Sequence, residues 1–199
     1  TADLPFPVTH TPDVFTQFRK EVERYVKVRK PLPTPTKDDF ESWSVRIEPG
    51  EIPSIEDFGH APYEYDERAV VDFRGGETEG LERLRYYLWE TDLAKTYKKT
   101  RNGLVGSDYS TKFSAWLAQG CLSPKKIYWE LKNYEEQRGK NKSTYWIFFE
   151  LLWRDFFRLM GKKHGNQIFF KSGTKQENTE EWRDDYRLLE LWIEGRTGV

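Results

Sequence analysis

The segment from Ser143 to His164, "STYWIFFELLWRDFFRLMGKKH", limits the possible folds more than any other part of the chain. Ile147, Phe148, Leu151, Leu152, Phe156 and Leu159 recur at the three- and four-residue spacing that places them on one side of an α-helix, a stripe that can face a core. Trp146, Glu150, Trp153 and Phe157 fall at i, i+4, i+7 and i+11 and form a second stripe on a different face. The following "HGN" supplies the glycine expected at a helix C-terminus. A strand cannot produce this pattern, because alternate residues of a strand face opposite ways.

Other segments repeat the helical period. "TPDVFTQFRKEVERYV" offers Thr11 as a cap and Pro12 as the first helical residue, with Val14, Phe15, Phe18, Val22 and Val26 on one face. "GGETEGLERLRYYLWE" places Leu81, Leu84 and Leu88 at helical spacing, with acidic residues in the first turn where the helix dipole favours them. "SDYSTKFSAWLAQG" is a hydroxyl-rich turn entering a short helix that stops near Gly120. "LSPKKIYWELKNYEEQR" begins with Ser123 as cap and Pro124 at the first position, and aligns Ile127, Leu131 and Tyr134. A last helix is expected over "EEWRDDYRLLELWIEG", with Leu188, Leu189 and Trp192 packed and Gly195 ending it.

Between Lys30 and Ala61 the prolines Pro31, Pro33, Pro35, Pro49 and Pro53 come too often for regular structure. The expected organisation is therefore a connector over residues 1–75, with one helix and long loops, followed by a helical unit over residues 76–199. No convincing period-two strand appears in the second half, so the predicted class is all-α.

Composition narrows the functional classes. Lys plus Arg total 32 against 33 for Asp plus Glu, a net charge of −1, so any attraction to nucleic acid must come from a local patch. A single cysteine, Cys121, offers neither a disulfide framework nor a paired metal motif. No apolar run of about 18 residues is present, and the first residues lack a signal-peptide pattern. The chain is expected to be soluble and intracellular, with no membrane contact and no organelle specified, and its start at Thr1 suggests a missing upstream part. Aromatic residues make up 16%, with eight tryptophans, and flat rings serve either as core or as stacking platforms for flavins and bases.

Three places offer chemistry. Glu150 lies between two tryptophans of its stripe, where partial desolvation suits a carboxyl that holds or donates a proton; pairing with a nearby arginine is the alternative. Ser110, Thr111, Lys112 and Ser114 crowd a turn just before a helix, as a phosphate site requires, although capping alone explains the same residues. Tyr97 and Arg101 are four apart among Lys95, Lys98 and Lys99, a basic patch with an aromatic that suits a nucleic-acid backbone or simply a solvated face. His10, His60 and His164 form no metal or triad signature.

"GGETEGLERLRYYLWETDLAKTYKKTRNGLVGSDYSTKFSAWLAQGCLSPKKIY", "NKSTYWIFFELLWRDFFRLM" and "LLELWIEGRTG", in this order, resemble the photolyase/cryptochrome flavoprotein family, specifically its DASH-type cryptochromes. "DLPFP" and "TPDVFTQFRK" resemble the segment joining that family's two domains. The resemblance implies a piece of a larger protein. An α/β domain able to hold a folate antenna would precede it, and these residues would form the first half of a helical domain that binds FAD.

By resemblance, Tyr97 and the run Ser110, Thr111, Lys112, Phe113 and Ser114 contact FAD, the run holding its phosphates. Arg101 meets the DNA backbone, while Glu150 and Trp153 face a flipped-out pyrimidine dimer. Trp182 corresponds to the outermost tryptophan of the chain that photoreduces the flavin. The implied function is light-driven repair of cyclobutane pyrimidine dimers, mainly in single-stranded DNA, by a monomeric protein. The alternative is a blue-light receptor that uses the same flavin without repair.

Overall fold

The long helix is where the chain organises itself. In the computed structural model, which describes residues 3–40, 48, 50–174 and 183–198, it runs over Lys142–His164 (α6 below). Asn141 caps it: its side-chain oxygen accepts from the backbone N–H groups of Ser143 at 2.7 Å and Thr144 at 3.0 Å. The Thr144 hydroxyl accepts from the Asn141 N–H at 3.1 Å, completing a reciprocal capping box. Gly165, at φ +55°, ends the helix as the sequence requires.

The remaining helices are α1 (Phe15–Tyr25), α2 (Glu77–Arg85), α3 (Tyr97–Thr100), α4 (Ser114–Ala118), α5 (Pro124–Arg138) and α7 (Tyr186–Ile193). A π-helical turn, Tyr86–Glu90, continues α2. No strand occurs among the described residues, and the class is all-α. The described part of the proline-rich stretch contains only single 3₁₀ turns, Lys37–Phe40 and Glu56–Phe58.

Two apolar clusters hold the helices together, and α6 enters both. Its N-terminal half supplies Ile147 to a cluster with Leu84 and Leu88 from α2 and its π turn, Trp116 of α4, and Ile127, Leu131 and Tyr134 of α5. Its C-terminal half supplies Leu152, Phe156 and Leu159 to a second cluster with Phe15, Phe18 and Val22 of α1. Lys163 fastens that end by donating to the Thr11 carbonyl at 2.8 Å and pairing with Asp13 at 2.6 Å. Gly80 of α2 permits the close approach of α4, since a Cβ there would lie 3.2 Å from the Trp116 ring.

Three sequence expectations need correction. Helix α1 begins at Phe15, so Thr11 is not its cap and Pro12 is not its first residue. The Thr11 hydroxyl instead turns back onto the Val8 carbonyl at 2.7 Å, closing the 3₁₀ turn Val8–His10, and Val14 is exposed. Ser123 precedes α5 in extended conformation and Pro124 does open the helix, but the Ser123 side chain makes no capping bond. Leu188, Leu189 and Trp192 do not pack: Asp185 caps α7 through the Leu188 N–H, leaving a helix of two turns with no buried residue and Trp192 70% exposed.

Candidate functional site

The hydroxyl-rich turn is shaped from beneath by Arg83. This side chain leaves the buried face of α2 and donates to the carbonyls of Ser107 at 2.6 Å, Thr111 at 3.0 Å and Ser110 at 3.3 Å. Burial pushes its guanidinium below the ordinary arginine range. Three carbonyls bound to one buried cation fix the path of the loop before α4. Asp108 adds a second tie by accepting from the Tyr86 hydroxyl at 3.1 Å and the Ser107 hydroxyl at 2.8 Å. Within the turn Lys112 takes the left-handed conformation, φ +59°. Phe113 is buried against Tyr87, ring centroids 6.0 Å apart.

Between this turn and α6 lies a cavity of about 360 Å³. Thr111, Phe113 and Ser114 form one wall with Tyr97; Ile147, Glu150, Leu151 and Arg154 of α6 form the other. Five of the residues singled out from the sequence therefore meet at one place, Tyr97, Thr111, Phe113, Ser114 and Glu150. Ser110 and Lys112 do not line it. Burial, followed by the charge of Glu150, pushes the Tyr97 phenol up to about 12, which keeps it neutral over the physiological range.

Glu150 is paired. Arg101 Nη1 donates to its Oε1 at 2.6 Å, with both side chains about one third exposed. The ion-pair alternative for Glu150 is thus the arrangement present, and its partner is the arginine of the basic patch, 49 positions away. Around this pair, Lys98 Nζ sits 4.2 Å from the Trp146 ring centroid and Arg101 5.8 Å from it. The Trp146 indole N–H is buried with no acceptor. Lys95 is tied to Asp92 at 2.6 Å.

Trp153 is stacked rather than free. Phe15 of α1 lies nearly parallel to it, 12° between planes with centroids 3.6 Å apart, and Phe157 stacks at 5.3 Å and 27°. Arg154 and Asp155 pair with each other at 3.0 Å. Burial pushes the Asp155 carboxyl above the ordinary aspartate range, against the pull of Arg154 and Arg158. Trp182 lies outside the described residues. Among the described residues no group of three metal-ligating side chains occurs, and no helix is long and apolar enough to cross a membrane.

Sequence reasoning missed Arg83 and the stacking of Phe15 on Trp153. Arg83 falls next to Leu84 on the inward side of α2, so its position on the helical period was the available clue. The Phe15 stack had no such clue, because it joins distant parts of the chain.

The donor set suits a dinucleotide in part. The Thr111 and Ser114 hydroxyls, with Lys112 alongside in the turn, match phosphate, and the Phe113, Ile147 and Leu151 walls match a flat ring system.

Known proteins share this arrangement of helices. The chain is 49% identical to "Cryptochrome DASH" of Gloeobacter violaceus over 98% of its own length and 38% of that protein's. It is 48% identical to "Cryptochrome DASH" of Danio rerio, covering 99% and 38% respectively. The crystal structure of a Synechocystis cryptochrome superposes with a TM-score of 0.82 at 44% identity, covering 99% of this chain and 40% of that one. No family model matches. By sequence and by fold the chain is similar to a part of the proteins of the photolyase/cryptochrome family, a family that binds flavin. The relatives it matches are of the DASH type, and it spans roughly two fifths of their length.

Proposed function

We propose that these residues form part of a blue-light-dependent FAD flavoprotein that repairs cyclobutane pyrimidine dimers, mainly in single-stranded DNA. The observation that carries this reading is the shared cavity: Glu150 lines the same 360 Å³ space as Tyr97, Thr111, Phe113 and Ser114. A carboxylate that hydrogen-bonds the dimer thus lies beside the residues assigned to the cofactor. Residues 1–75 act as connector and residues 76–199 as the helical part of the cofactor domain. A folate antenna belongs to the rest of the protein, which works as a monomer.

The roles divide by position. Thr111 and Ser114, with Ser110 and Lys112, hold the cofactor phosphates, and the neutral Tyr97 phenol and the Phe113 ring fill the space beside them. When bound, reduced and excited, a flavin supplies the electron that opens the cyclobutane ring and takes it back afterwards. Glu150 accepts a hydrogen bond from a thymine base extruded from the stack and orients it. Arg101 grips phosphate and neutralises Glu150 until the lesion arrives. Trp153, held in place by Phe15, packs the dimer. Trp182 passes electrons inward when the flavin is reduced by light. A purely signalling role draws support from no feature of the described residues.

The test is direct. The full-length protein, purified with FAD and illuminated with blue light, should remove dimers from single-stranded oligonucleotides. Dimers left intact while the flavin is fully reduced would refute the proposal.

A further inference from the structure

We propose that Arg83 is a positioning residue for the cofactor phosphates, one that makes the turn before α4 select a phosphate-bearing flavin; the inference rests on the FAD reading above. Arg83 does not line the cavity, and it acts on the backbone. From a side chain only 9% exposed, its guanidinium binds the carbonyls of Ser107, Ser110 and Thr111. A trans peptide unit is planar, so its C=O and its N–H point in opposite directions. Each carbonyl drawn onto Arg83 therefore turns the next N–H away from it, and these are the N–H groups of Asp108, Thr111 and Lys112. None of the three is hydrogen-bonded among the described residues.

Lys112, at φ +59°, is followed by Phe113 at φ −67° and ψ −16°. A left-handed residue beside a right-handed one gathers successive N–H groups into a concave anion site. Thr111 and Ser114, on either side of this pair, line the cavity. Three carbonyl dipoles aimed at one point repel one another, and a guanidinium with five N–H donors in a fixed fork holds them together. The direction of the fork is set as well. Arg83 Cζ lies 5.2 Å from the Tyr86 ring centroid and 5.6 Å from that of Tyr87, and the Tyr86 hydroxyl donates to Asp108 at the start of the turn. A phosphate on the outward N–H groups also gains from the positive charge behind the turn. A flavin without phosphates gains nothing from either, so the effect of Arg83 is confined to the phosphate end of the ligand.

The experiment measures binding of FAD, and of riboflavin, which lacks the phosphates, to the flavin-free full-length protein and to its Arg83→Met and Arg83→Ala variants. Arg83→Met should weaken FAD binding about 10- to 100-fold and riboflavin binding less than about twofold. Guanidinium ion added to Arg83→Ala should restore part of the FAD affinity, and the same concentration of sodium chloride should not. Equal weakening of both flavins, no weakening of either, or equal rescue by both salts overturns the proposal. So does a pair of variants too unfolded to bind any flavin, which would make Arg83 a residue of the fold alone. Wild-type protein that binds neither flavin sinks the FAD reading and this inference with it, whereas unaltered FAD affinity in Arg83→Met sinks the inference alone.

Discussion

The two faces of α6 are made of similar residues and do different things. On one face Ile147, Leu152, Phe156 and Leu159 are buried and join the two core clusters. On the other, Trp146, Glu150, Trp153 and Phe157 are partly or largely open, and the charge among them is answered by Arg101 from the turn that follows α3. Aromatic content alone therefore does not separate a core from a site. The difference lies in what each face meets: apolar side chains on one side, and a cavity, cations and solvent on the other.

Substitutions on the two faces should separate stability from activity. The largest effect belongs to the core face. Phe156→Ala removes a ring packed on Phe15 and Phe18 and should cost about 3–5 kcal/mol in denaturant unfolding of the full-length protein. Activity per folded molecule should persist at low temperature. On the other face, Glu150→Ala should change unfolding by less than about 1 kcal/mol and lower the repair rate about 10- to 100-fold, the worth of a hydrogen bond to a charged group. Photoreduction of the flavin should survive it. Comparable losses of both would show that the two faces are not distinct in function.

A third substitution probes charge on the core side. Burial raises the Asp92 carboxyl, but bonds from Lys95, Tyr134 and Arg138 more than reverse this and bring it to about 2, below the ordinary 3.8. Its ionised form therefore stabilises the fold above about pH 4, and that contribution disappears as pH falls towards 2. Asp92→Asn tolerates the left-handed backbone at φ +58° and removes only the charge. It should cost about 1 kcal/mol at pH 7, after allowing for solvent screening of a carboxylate one third exposed. The loss should fade on acidification, and a pH-independent loss would contradict the assignment. Smallest is the coupling between Arg101 and Glu150. A double-mutant cycle on stability should give about 0.2–1 kcal/mol, because the pair is partly exposed.

Much of α6 was legible in sequence because the helical period records burial directly. Both stripes, the terminal glycine and the length within a residue or so followed from it. What it could not record was long-range pairing. The Arg101–Glu150 bridge and the Phe15–Trp153 stack join segments with no local signal, and Arg83 binding three carbonyls shows only in three dimensions. The start of α1 was misplaced because Thr-Pro imitates a cap, whereas the Thr11 hydroxyl is satisfied backwards. The apolar face of α7 was legible as a face to bury, but its pattern named no partner.

The most direct test of the central claim is a crystal structure of the full-length protein with a dimer-containing single-stranded oligonucleotide. The outward face of α6 should hold the lesion, with a Glu150 carboxylate oxygen about 2.7–3.2 Å from a pyrimidine nitrogen or oxygen. A dimer bound elsewhere, with Glu150 still closed on Arg101 and no base on that face, would contradict the account.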